Sequence, residues 1–168
     1  MSSESGSDVL APLLELSVQL DEGYQVAERA KEQLVATVIH LSGAGKWAER
    51  EHFFGLRTIA DAFKYPKLWR ARKELRKAEA SLEELSQTIA DARITVQASI
   101  DIHPFSAAMD IFCSDLLEVI GNIYVLNQIE TSLVSVNGAL DEVGDLLVRL
   151  RAQRENLAKE ITAARASS

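Results

Sequence analysis

The chain has 168 residues, 47% hydrophobic and 26% charged, a balance that supports a buried core and excludes a disordered polar chain. A formal net charge of −7 argues against a surface that binds nucleic acid throughout. The single cysteine, Cys113, excludes an intramolecular disulfide and a Cys-rich metal site.

Helix-forming Ala, Leu, Glu, Lys, Arg and Gln dominate, and β-branched residues do not alternate as they would in strands, so the predicted fold is all-α. The opening MSSESGSD has neither the basic start nor the long apolar run of a secretory signal. With the lone cysteine, this points to the cytoplasm, with a peripheral position at a membrane as the variant. Residues 1–7 read as a disordered segment and 8–165 as one helical bundle domain.

Ser7 or Asp8 is placed to cap the first helix. From Val9 to Leu41, Leu13, Leu16, Leu20, Tyr24, Ala27, Leu34, Val38 and Leu41 recur at helical steps. SGAGK (42–46) is expected to end that helix, and a short crossover helix from Trp47 to Phe63 to follow. Pro66 is expected in the first turn of the next helix, whose stripe Leu68, Leu75, Leu82, Leu85, Ile89, Ala92 and Val96 runs to about Ser99. DIHP (101–104) is the next break. Between Phe105 and Leu126 apolar residues lie on almost every side, leaving Asp110, Ser114, Glu118 and Asn122 as one polar strip, the pattern of a helix inside a bundle. Asn137-Gly138 either closes this helix or is a weak point in a longer one, and Leu140, Val143, Leu147, Leu150, Leu157 and Ile161 then keep a seven-residue rhythm. With the break, the architecture is an antiparallel four-helix bundle of long helices with a short extra crossover helix. Without it, 104–164 is nearly continuous, and the alternative is an elongated coiled-coil dimer.

Enzyme chemistry finds little support. SGAGK resembles the end of a phosphate loop, but His40 stands where its first glycine belongs and Trp47 where its Ser or Thr belongs. EREH (49–52) supplies one Glu-x-x-His, whereas a di-iron bundle needs two and a further pair of glutamates. Cys113 sits in the most apolar segment and reads as a packing residue. Residues 119–140 contain one charge, Glu130, yet Asn122, Asn127, Gln128, Thr131, Ser132, Ser135 and Asn137 make the stretch too polar for a constitutive membrane span. Its amides are expected to pair with neighbouring helices or to sit at a subunit interface. No cofactor or metal ligand set emerges.

KYPKLWRARKELRK (64–77) is the one strong local anomaly, with seven lysines and arginines against one glutamate. At 100° per residue, Leu68, Ala71, Leu75, Leu82 and Leu85 share one side, while Arg70, Arg72, Lys73, Arg76 and Lys77 fan across the other with Trp69 among them. Arg72 and Lys73 are then its helical neighbours, in reach for cation–π attraction. The plain reading is a solvated face with the crossover helix folded over Trp69. The functional reading makes Lys67, Trp69, Arg70, Arg72, Lys73, Arg76 and Lys77 a docking site for an acidic surface. One acidic partner is a second copy, because the first helix carries Glu15, Asp21, Glu22, Glu28 and Glu32 against Arg29 and Lys31. The expected function is therefore a non-enzymatic, self-associating protein-interaction or scaffold module. The alternative is a peripheral protein that binds anionic membrane through the Trp69 face, with conditional insertion of 119–140. Nucleic acid is disfavoured by net charge and by the lack of any recognisable binding module.

Overall fold

The computed structural model describes residues 5–55, 57–96 and 126–166, and every described residue except Gly55 is helical. They form α1 (Ser5–Phe54), α2 (Arg57–Val96) and α3 (Leu126–Ala166). The fold is all-α, and α1 begins at Ser5, ahead of the expected start. With 50 residues at 1.5 Å each, α1 is about 75 Å long.

The length of α1 comes from a seam deeper than the leucine stripe. Leu20, Gly23, Ala27, Ala30, Leu34, Thr37, Leu41, Ala44 and Ala48 are all buried and alternate by three and four residues. That 3.5-residue repeat keeps one face of a helix against its neighbours over many turns. The expected break at SGAGK does not occur. Two glycines in a helix interior disfavour it by about 2 kcal/mol, but the seam buried along the whole of α1 holds the helix through them. A Cβ on Gly45 would lie 3.6 Å from Ile129 Cγ2 on α3, and one on Gly43 would lie 2.8 Å from Lys67 Nζ and 3.1 Å from its Cδ on α2. Gly43 thus leaves room for the Lys67 side chain, while at Gly45 a Cβ would make only ordinary contact, and neither ends the helix.

The chain actually turns at Gly55, whose φ is 62°. Its N–H donates to the Glu51 carbonyl at 3.0 Å, closing α1 with a left-handed cap. Consequently the short crossover helix does not exist: Trp47 belongs to the last turns of α1 and Phe63 to the second turn of α2. Pro66 is likewise inside α2, not at its start. It lies on the exposed side with Ala62, whose carbonyl it deprives of a donor, so water can serve that carbonyl.

Asn137-Gly138 is no break either, because α3 runs through both. Its buried seam, Ile129, Ser132, Val136, Ala139, Val143, Leu146 and Leu150, crosses the dipeptide without a change of register, and Asn137 and Gly138 are both exposed. The expected helix over 105–126 lies outside the described residues apart from Leu126, which opens α3.

α1 is antiparallel to both partners. Along α2 the pairs are Arg29 with Glu84 (3.1 Å) and Gln33 Oε1 accepting from Ser81 Oγ (3.0 Å). Along α3, Arg154 binds Asp21, and Arg151 donates to the Tyr24 hydroxyl at 3.0 Å. Among the described residues α2 and α3 pack on α1 and not on each other. Buried hydroxyls are satisfied at close range: Thr37 donates to the Gln33 carbonyl and Ser132 to the Gln128 carbonyl, both at 2.8 Å.

Gly43 gives a direct test of the close approach. Alanine there is expected to raise stability by about 1 kcal/mol only when Lys67 is also shortened to alanine, and by less in the native background. Urea unfolding of both single variants and the double reads the coupling.

Candidate interaction surface

Helix geometry divides the basic segment. Leu68, Ala71, Leu75, Ala78 and Leu82 are buried, which turns the positions between them outward. Trp69 is 63% exposed, and Arg70, Lys73, Arg76 and Lys77 are exposed with it. Lys73 Nζ lies 5.7 Å from the Trp69 ring centroid, an attraction of about 0.5–1 kcal/mol at an exposed site. Lys77 is held by Glu74 at 2.9 Å. Arg72 is half-buried and, among the described residues, borders a shallow hollow of about 600 Å³ with Trp69, Lys73, Arg76, Lys77 and Ala80.

Lys67 stands apart from this group. It is half-buried and its stem lies against Gly43 of α1, so it packs between helices instead of joining the outward fan. The expectation that a crossover helix covers Trp69 fails for the reason already given: residues 47–54 continue α1 and run on past the Trp69 level.

The turn between α1 and α2 carries a second feature that sequence reasoning missed. Trp47 and Phe63 stack across it with centroids 4.6 Å apart and planes 14° apart. The Arg50 guanidinium lies 4.7 Å from the Trp47 centroid. Beneath them Lys64 is only 4% exposed. Its ammonium donates to Glu51 Oε2 at 2.8 Å and pairs with Asp61 Oδ1 at 3.1 Å. Burial opposes its charge, but the hydrogen bonds and attraction from Glu51 and Asp61 outweigh that and hold its pKa above the ordinary lysine value. Beyond this network Phe53 and Phe54 are 77% and 71% exposed, and Phe63 and Tyr65 are exposed as well. A signal for this tip was present, since six of the ten aromatic residues fall between Trp47 and Trp69.

Of the stretch 119–140, residues 126–140 are described and lie in α3. Asn137 donates to the Leu133 carbonyl at 2.8 Å and Ser135 to the Thr131 carbonyl at 3.2 Å, both on their own helix. Among the described residues no helix is long and apolar enough to cross a membrane. No three His, Cys, Asp or Glu side chains among them come together as a metal site. Glu49 is exposed on α1, while the side chain of His52 and all of Cys113 lie outside the described residues. In comparisons with protein families, curated proteins and solved structures, the chain matches none.

Proposed function

We propose that this protein is a non-enzymatic helical interaction module whose outer α2 face docks an acidic protein surface, and that a second copy is one such partner. The carrying observation is Trp69: a large aromatic stands exposed opposite the core of its own helix, with the exposed cations Arg70 and Lys73 beside it and Arg76 and Lys77 further along the same face. Tryptophan and arginine are the residues that most often dominate binding energy, and a basic rim selects an acidic partner. Within the chain, Arg154 occupies Asp21, and Glu84 occupies Arg29. Glu15, Glu22, Glu28 and Glu32 then remain as exposed acids of α1 that a second copy offers.

A four-helix bundle is the architecture proposed for the whole chain. In an up-down-up-down bundle the first helix touches the second and fourth, and those two are diagonal. The contacts of α1 with α2 and α3, and the lack of any between α2 and α3, fit that diagram with one corner left for 97–125. Such a module works in the cytoplasm and needs no cofactor.

Sedimentation velocity tests the proposal. The native chain is expected to self-associate, more weakly at higher salt. Lys73→Glu/Arg76→Glu is expected to weaken the association at least ten-fold, and Trp69→Ala by about 2 kcal/mol, roughly thirty-fold. Adding Glu28→Lys/Glu32→Lys to the charge reversal restores it. A chain that stays monomeric, or an oligomer indifferent to both sets of changes, overturns the self-contact.

A further inference from the structure

We infer that copies of this chain join head to tail in a staggered, open-ended filament, the outer seam of α2 on one copy seated on the outer seam of α1 on the next. This assembly rests on the self-contact proposed above and gives it a register. The buried seams of α1 and α2 follow a seven-residue repeat, so the second and sixth places of that repeat lie on the outward side. Along α2 these places hold Pro66, Trp69, Lys73, Arg76, Ala80 and Glu83, all exposed. Trp69, Lys73, Arg76 and Ala80 also border the hollow on that face. Along α1 they hold Asp21, Gln25, Glu28, Glu32, Val35 and Ile39, exposed from Gln25 onward. Two aliphatic side chains thus stand in solvent directly beside two acids.

Laid antiparallel, the two seams match place by place. Trp69 falls on Val35, with Ile39 beside Pro66, while Lys73 meets Glu32, Arg76 meets Glu28 and Ala80 meets Gln25. Glu83 falls on Asp21, whose charge Arg154 already occupies. Arg151 attracts Glu28, but among the described residues neither Glu28 nor Glu32 is in an ion pair. Laid parallel, Lys73 and Arg76 still find Glu28 and Glu32, but Trp69 falls on Gln25 and Glu83 on Ile39. Only the antiparallel register serves the indole and the cations together.

That register decides the form of the assembly. Within one molecule Gln33 lies level with Ser81, Arg29 with Glu84 and Gly43 with Lys67. Between copies Glu32 lies level with Lys73, so the neighbour is displaced by about eight residues, roughly 12 Å along the helices. Because α2 runs antiparallel to α1 both within and between copies, all copies point the same way. Rotation alone then leaves every residue at its own height, so a closed dimer or ring has to use the level found within the molecule. At that level Glu83 would face Glu28, Ala80 would face Glu32 and Trp69 would face Ser42. The matched contact therefore needs a displaced neighbour, which offers the same seams again, and it propagates without closing.

Light scattering of the full chain over a range of concentrations tests the filament, and the average mass is expected to keep rising past the dimer. Val35→Ser/Ile39→Ser should weaken association roughly ten-fold or more, while Val134→Ser, exposed on α3, leaves it unchanged. Added to Trp69→Ala, the Val35→Ser/Ile39→Ser change should weaken association little further, because both remove one contact. Mixed single-cysteine proteins in a Cys113→Ala background read the register. Gln25→Cys should form a disulfide with Ala80→Cys across copies, and Glu32→Cys should not. A chain that stays monomeric overturns the self-contact and the filament with it. Association that depends on Lys73 and Arg76 but stops at a dimer, or that joins Ala80→Cys to Glu32→Cys instead, leaves the self-contact standing and overturns the stagger. Association indifferent to Val35→Ser/Ile39→Ser overturns α1 as the seat.

Discussion

Leu34→Ala is expected to lower the unfolding free energy by about 3 kcal/mol, read by urea unfolding. Leu34 has 0% exposure and lies mid-seam on α1, the helix on which the other two described helices pack. Three lost carbons remove roughly 2 kcal/mol of transfer energy, and the cavity adds the remainder because long helices locked in register relax little. Ile39→Ala, exposed on the opposite side of α1, is expected to change stability by no more than about 0.5 kcal/mol. If the two substitutions had equal effects, the seam through Leu34 would not be the buried face of α1.

Neutralising Glu51 and Asp61 together, as Gln and Asn, is expected to destabilise by about 2–3 kcal/mol, because it strands the Lys64 ammonium in a buried position. Partial water access to the two carboxylates puts the effect at the lower end of what breaking a buried pair costs. Lys64→Met is expected to be far milder, since its chain fills the same space and the acids left behind are still hydrated. The pH dependence has a definite sign. Lys64 has its pKa raised above 10.5 in the folded protein. A raised cation pKa contributes stability that is fully present below the unfolded value and is lost as pH rises through the folded one. The stability difference between the native chain and Lys64→Met should therefore stay constant from neutral pH to about 10 and shrink above it. A difference that changed between pH 7 and 9 would rule out Lys64 as its source.

Much of the packing was legible in the sequence, and the boundaries were not. Leu16, Leu20, Leu34 and Leu41 on α1, and Leu68, Leu75, Leu82 and Leu85 on α2, are buried as their spacing requires. The outward fan of Arg70, Lys73, Arg76 and Lys77 around Trp69 follows from the same arithmetic. The breaks failed because propensity alone does not say whether a glycine ends a helix or admits a neighbour. Gly43 does the second, Gly45 is buried in the seam beside Ile129, and Gly55, at its positive φ, does the first. Telling them apart needs the position of Lys67 and Ile129, which lie on other helices. Gly23, Ala30, Thr37, Ala44 and Ala48 escaped the leucine stripe for a similar reason, since small residues become core only when a partner approaches closely. The tip was hidden by the misplaced turn, because Phe53 and Phe54 were read as the middle of a crossover helix.

The antiparallel pairing of α1 with both partners also fixes a distance. Arg154 meets Asp21, and Ile129 lies beside Gly45, so the far end of α3 and the start of α1 share one pole of the molecule while Gly55 occupies the other. A label or fused domain joined before Ser5 is thus about 75 Å from the aromatic apex along α1, and one joined after Ala166 lies toward the same pole. Used as a spacer, the molecule would keep its cargo beyond several Debye lengths of whatever surface the apex meets, and would carry both attachment points on the same side.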